Sequence, residues 1–216
     1  DLLKKKSTGR FTVECTGCGK ALVTVEASPV IRYEKKCFVE SDGYVCMESE
    51  HFAQNIKTEG AEFKVLKPYG RSGSAVKVFP TTLDFLKIEN RPYVEYHCQI
   101  QEAGEYDLSF ILAPTTPVTF KNEQFMGYSV NGGDIRVLNT VRQPEIPFFL
   151  SPQWAKEAKE NVKTVEDKIL CTAGVNKHRF YAMSPGIVLE RILLVRSGIK
   201  LPESYLGPVE SYMQEE

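Results

Sequence analysis

Tryptophan occurs once and histidine three times in these 216 residues, and both scarcities limit the chemistry open to the chain. The histidines, at 51, 97 and 178, are scattered. Cys15 and Cys18 form a lone C-x-x-C, and a ribbon-type zinc site needs a second such pair or two histidines at compatible spacing. The other cysteines stand at 37, 46, 98 and 171, and six in a chain this long are not a disulfide scaffold. Cys46 and Cys98 read instead as small apolar residues buried on strands. A surplus of positive charge is missing too. Twenty-seven Lys and Arg stand against 28 Asp and Glu, which leaves no electrostatic footprint for nucleic acid or an anionic membrane. Lys4-Lys5-Lys6 is a solvated end by this reading. No apolar run approaches the roughly 20 residues that span a bilayer, and the start carries no apolar signal-peptide core. The chain opens on Asp1-Leu2-Leu3-Lys4 without Met and reads as a fragment or a processed product. No Gly-x-Ser-x-Gly elbow is present. The glycine-rich Gly70-Arg71-Ser72-Gly73-Ser74 lacks the Gly-Lys-Ser/Thr ending of a phosphate loop and precedes a strand where such a loop precedes a helix.

What is present is strand pattern. Twelve Phe and ten Tyr favour aromatic packing on sheets. Phe11, Val13 and Cys15 alternate, Thr16-Gly17-Cys18-Gly19 turns, and Leu22–Val25 returns, which is a hairpin signal. Val30–Tyr33 offers a third strand. Further strands are expected at Tyr44–Glu48, Ala75–Phe79, Pro92–Ile100, Tyr106–Leu112, Met126–Val130, Ile135–Leu138, Lys168–Cys171, His178–Met183 and Ile187–Val195. Asn131-Gly132-Gly133-Asp134 is a type I′-like hairpin turn. One helix is expected after Ser151, a fitting cap, with Pro152 in its first turn. Its buried face would be Trp154, Ala158, Val162 and Val165 at helical spacing, which makes Trp154 a core residue. Short strands at regular spacing, without βαβ alternation, predict an all-β sandwich with one short helix and a small N-terminal β segment. The division expected is residues 1–40 for that segment, which packs on the sandwich or completes a preceding β domain, and 41–216 for the sandwich itself.

Residues from about 40 to 212 resemble the C-terminal domain of glycoside hydrolase family 115, the xylan α-glucuronidases. The resemblance lies in Asp42-Gly43-Tyr44-Val45 with Glu48-Ser49-Glu50-His51-Phe52, the Gly70–Pro80 block, Pro92-Tyr93-Val94-Glu95-Tyr96, Trp154 with Asn161, Ala173-Gly174, Ser184-Pro185-Gly186-Ile187-Val188-Leu189, and Ser204-Tyr205-Leu206-Gly207-Pro208. These occur in the family's order. The resemblance implies a jelly-roll-like, galactose-binding-like sandwich akin to family 6 and 35 carbohydrate-binding modules. Those modules often carry a Glu-x-Glu on the first strand that holds a structural calcium together with an acid near the last strand. Here the implied ligands are Glu48, Glu50 and Glu190, and the alternative is that they are ordinary strand-face acids. Calcium asks for six to eight oxygen ligands.

The family's catalytic region lies N-terminal to this domain. The resemblance therefore implies a non-catalytic, carbohydrate-binding-like accessory domain of an α-glucuronidase-type enzyme acting on plant glucuronoxylan. It also implies a secreted, periplasmic or cell-surface setting, with the catalytic domain of the same polypeptide as a partner. A different class of reading is a structural sandwich that docks on the catalytic domain or bridges a dimer and binds no sugar. Tyr69, Arg71 and Asn131 are the candidate sugar-facing residues, provided their loops share one end; the alternative is that they are plain loop residues. The Arg71 fork would match the carboxylate of a glucuronate. Tyr205 and Tyr212 are expected to anchor the tail.

Overall fold

The computed structural model describes residues 7–17, 19–27, 35–58, 60–85, 89–118 and 121–214. Its chain divides into two compact units, Asp1–Glu34 and Lys35–Glu216. In the first, β1 (Ser7–Cys15) and β2 (Gly19–Ala27) pair antiparallel, with Phe11 opposite Val23 and Val13 opposite Ala21. That is the hairpin read from the sequence. The strand expected at Val30–Tyr33 lies outside the described residues.

The second unit is the sandwich. Alternation selects its strands. In β9 (Gly104–Leu112), Tyr106, Leu108, Phe110 and Leu112 are buried, while Asp107, Ser109 and Ile111 between them are half-buried on the other face. The remaining strands are β3 (Cys37–Val39), β4 (Tyr44–Glu48), β5 (Gln54–Ile56), β6 (Glu62–Tyr69), β7 (Gly73–Phe79), β8 (Tyr93–Ile100), β10 (Phe125–Val130), β11 (Arg136–Asn139), β12 (Lys163–Cys171), β13 (Gly174–Tyr181), β14 (Val188–Arg196) and β15 (Met213–Gln214). One sheet runs β11-β10-β13-β8-β3-β15, with β5 also on β8. The other runs β12-β9-β14-β7-β6, with β4 also on β14. Every pairing is antiparallel except β3 on β8. The two inner faces form one core, in which Phe110 meets Tyr128 and Phe180 at 5.2 and 6.0 Å between ring centroids. The family expectation of an all-β sandwich with a single short helix holds among the described residues.

Two expectations shift. Cys37–Val39 is hydrogen bonded beside His97–Gln99 of β8, so the larger unit starts before residue 41. The helix α1 (Pro152–Glu160) starts where expected: Ser151 Oγ accepts from Trp154 N at 3.3 Å. It stops at Asn161, whose φ of 53° puts it in the left-handed C-cap conformation. Val165 therefore lies on β12 and not on the helix, Ala158 is exposed, and Trp154 is half-buried at the surface. The apolar period from Trp154 to Val165 crosses from a helix into a strand, so no single helical face exists for it to bury.

Candidate functional site

Polar side chains gather against apolar ones at several places among the described residues of the sandwich, and two of these bear on metal and sugar binding. The first lies on the outer face of β14 and β4. Core positions on β14 are Leu189, Ile192 and Leu194, so two residues, Glu190 and Arg191, separate the first two instead of one. The register against β9 slips between Leu189 and Arg191, the mark of a β-bulge, and the bulge carries both charged side chains away from the core. They are nonetheless buried, Glu190 at 2% and Arg191 at 7% exposure.

The cover comes from the hairpin tip between β6 and β7 and from the C-terminal segment. Ser211 N donates to Cys46 O at 2.9 Å, and Ser211 Oγ accepts from Cys46 N at 3.0 Å, which ties the segment along β4. Burial pushes the Cys46 thiol up to about 12. Arg191 Nη1 donates to the carbonyls of Leu206 (2.8 Å) and Pro208 (3.0 Å), and Nη2 donates to Glu48 Oε1. Glu48 Oε2 accepts from Ser72 Oγ at 2.8 Å. Arg71 N donates to Glu190 Oε2 at 3.3 Å. A Cβ on Gly70, whose φ is 72°, would sit 2.5 Å from Glu190 Cδ. The glycine-rich tip thus does receive an anion, and the anion is the chain's own. Burial raises the Glu190 carboxyl above its ordinary range, outweighing the lowering by the Arg71 amide and the two arginines.

The implied calcium ligands do not fit that ion as they stand. Glu48 has both oxygens engaged, one by a guanidinium. Glu50 Oε2 and Glu190 Oε1 are buried without a hydrogen-bond partner, while Glu190 Oε2 is taken by the Arg71 amide. Among the described residues no group of three His, Cys, Asp or Glu side chains is gathered closely enough to hold a metal.

The proposed sugar-facing residues fall into two separate settings. Tyr69 and Arg71 share the β6–β7 tip, where the Arg71 guanidinium lies 5.2 Å from the Tyr205 ring and donates to Tyr205 O at 2.6 Å. Asn131 sits in the β10–β11 turn, its Oδ1 accepting from Lys177 N (2.8 Å) and its Nδ2 donating to Asn176 Oδ1 (3.0 Å). Positive φ at Asn131 and Gly132 gives the type I′ turn its sequence requires. Among the described residues no hydrogen-bond partner is common to these two groups. The Arg71 fork is directed at the backbone of the tail.

The second place is a cleft at one end of the sandwich, between the segment after β7, the segment before β10 and the segment after β13. It has a volume of about 650 Å³. Leu83, Phe125 and Met183 give it an apolar floor; Thr81, Thr82 and Ser184 bring hydroxyls, and Asp84, Lys121 and Glu123 bring charge. Ser184 Oγ accepts from Phe125 N at 2.9 Å and fixes where β10 starts. Met183 lies against Gly127 so closely that a Cβ there would collide with its methyl. Buried Gln124 donates to Thr115 Oγ1 at 3.2 Å and accepts from Thr140 Oγ1 at 3.1 Å, holding neighbouring loops. Sequence reading missed this cleft because its residues come from three loops with no shared motif.

Residues 37–210 match the family model of the glycosyl hydrolase family 115 C-terminal domain. The chain belongs to that family. As a family 115 C-terminal domain, it has the Glu48–Glu190 region and the end cleft within or beside the matched span. No match was found among the curated proteins. Among solved structures it is similar to a family 115 4-O-methyl-α-glucuronidase with specificity for decorated arabinogalactans, at 12% identity, TM-score 0.49, 68% of this chain and 18% of that one. It is similar to the Podospora anserina family 26 β-(1,4)-mannanase with its family 35 carbohydrate-binding module, at 17% identity, TM-score 0.48, 75% of this chain and 29% of that one. It is also similar to a family 35 carbohydrate-binding module from Clostridium thermocellum, at 15% identity, TM-score 0.46, 71% of this chain and 98% of that one. The chain spans less than a third of the length of the two enzymes. No helix among the described residues is long and apolar enough to cross a membrane.

Proposed function

We propose that this family 115 C-terminal domain is a non-catalytic accessory module of a secreted or cell-surface α-glucuronidase-type glycoside hydrolase, and that it holds a neutral stretch of plant glucuronoxylan in the end cleft. The observation that carries the reading is the composition of that cleft. A volume of about 650 Å³ falls in the range of ligand pockets, roughly 300–1,000 Å³, and accommodates a short run of pyranose units. The apolar floor of Phe125 and Met183 suits the C–H face of a sugar ring. Thr81, Thr82, Asp84 and Glu123 suit its hydroxyls, since carboxylates accept from two directions. Among the described lining residues Asp84 and Glu123 outnumber Lys121, which favours the neutral backbone sugars over a uronic acid carboxylate. This moves the expected sugar contact away from Tyr69, Arg71 and Asn131. Isothermal titration with linear xylo-oligosaccharides tests the proposal: binding weakened at least about tenfold by Phe125→Ala supports it, and absence of binding at millimolar ligand refutes it.

A docking role on the catalytic domain of the same polypeptide has its own support. Tyr205, Leu206, Val209 and Tyr212 on the C-terminal segment are exposed at 64, 55, 76 and 69%. Tyr205 and Tyr212 are expected to anchor the tail: Tyr205 does so through Arg71, which donates to its carbonyl at 2.6 Å and lies 5.2 Å from its ring, alongside the ties made by Arg191 and Ser211, while both rings stay largely exposed. Exposed apolar side chains grouped on one segment mark interaction surfaces.

A further inference from the structure

We propose that the Arg191 guanidinium is the resident cation of the Glu48–Glu190 site, so that this domain folds and holds its C-terminal segment without calcium. The argument starts from geometry. A structural metal at this place would tie β4, β14 and their covering segments through shared oxygens. In this chain one side chain already makes that set of links. Arg191 sits opposite Glu48 in the β14–β4 ladder and bonds its carboxylate. The same guanidinium reaches across to the carbonyls of Leu206 and Pro208. Carboxylate and carbonyl oxygens are the donor types a hard cation takes, and a planar guanidinium with five N–H donors takes them as well.

The surroundings are shaped to the side chain. A Cβ on Gly207, at φ 74°, would stand 3.0 Å from Arg191 Nη1, so the chain passes the guanidinium at a glycine. The bulge at Glu190 is what directs Arg191 to this face. Glu48 is met by the Arg191 guanidinium and Glu190 by the Arg71 backbone N–H, while the Arg71 guanidinium holds the cover at Tyr205 O. A divalent ion bonded to Glu48 would have to displace a guanidinium that is 7% exposed and hydrogen bonded to three groups. An arginine cannot be chelated away. The domain is then insensitive to the calcium level around it.

The test uses the whole 216-residue chain. Thermal unfolding is followed in excess EDTA and in millimolar calcium chloride, and terbium is titrated with excitation through tyrosine, Tyr69 lying beside the site. The expected result is an unfolding midpoint equal within about 1 °C in the two conditions and no saturable terbium emission. A saturable calcium-dependent rise of several degrees, lost in Glu190→Gln, would overturn the proposal. Arg191→Lys supplies a second reading. It is expected to lower the midpoint equally in EDTA and calcium, because a lysine ammonium lacks the planar fork. Calcium restoring the Arg191→Lys midpoint would show the site to be a metal site with an arginine beside it.

Discussion

Arg191 and Glu48 stand directly opposite each other on β14 and β4, and the Arg191 guanidinium joins the Glu48 carboxylate to the carbonyls of Leu206 and Pro208. Both side chains are buried, so removing one leaves the other charged and unpaired. Arg191→Ala is expected to cost about 3–5 kcal/mol in urea unfolding. Replacing both, as Arg191→Met with Glu48→Leu, is expected to cost clearly less than Arg191→Ala alone, because no orphaned charge remains. A double variant as damaged as the single one would contradict this.

Gly70 offers a cleaner steric test. Its positive φ alone predicts a loss of about 1–2 kcal/mol on replacement by Ala. The Glu190 carboxylate, 2.5 Å from the added Cβ, raises the expected loss for Gly70→Ala to about 3 kcal/mol. Gly132→Ala is the control: φ is 74° and nothing lies within 4 Å of its Cβ, so only the backbone term applies. Calorimetric midpoints of the two variants should rank in that order.

These two predictions show where sequence reading succeeded and where it failed. Alternation identified most long strands, since a period of two in the sequence survives in β8 and β9 whatever their neighbours, whereas the bulge at Glu190 breaks it in β14. It did not reveal β6 or β3. In Glu62–Tyr69 the lysines and half-buried residues blur the period, and Cys37–Val39 is too short to show one. The run from Trp154 to Val165 misled because a helical period there spans a helix cap. The Glu-x-Glu pattern singles out Glu48 as a calcium ligand or an ordinary strand-face acid, but no local pattern says that it is buried or that Arg191, 143 residues away, supplies the positive charge beside it. The end cleft is built from three loops by the fold itself, which no spacing in the chain records.

Acid should weaken the domain through His178. It is buried, with its ring Nε2 at 3.4 Å from Cys98 Sγ, and burial first, then the charge of His97, lowers its pKa from 6.5 to about 4. The unfolded chain binds this proton below about 6.5 and the folded one only near 4, so the unfolded state gains protons first as pH falls. Stability is therefore full above pH 6.5 and falls as pH drops towards 4, by about 3 kcal/mol from this group. Urea midpoints measured from about pH 7 to about pH 4.5 should show the slope, and His178→Leu should flatten it.

Thiol chemistry should follow burial. Cys37, Cys46, Cys98 and Cys171 are buried, and desolvation pushes the Cys46 and Cys171 thiols up to about 12. Cys15 is exposed. A disulfide reagent at about pH 8 should label Cys15 in the folded protein and the four buried cysteines only after unfolding, as read by peptide mass mapping. Labelling of Cys98 in the native state would contradict the buried Cys98–His178 pair.

The most direct test of the account is calorimetric titration of the intact chain with xylo-oligosaccharides, run beside Phe125→Ala and Arg71→Ala. The account predicts saturable binding of the neutral oligosaccharide, lost or weakened at least about tenfold in Phe125→Ala and little changed in Arg71→Ala. Binding that fails in Arg71→Ala and survives in Phe125→Ala would place the ligand at the β6–β7 tip and contradict the end cleft as the sugar site.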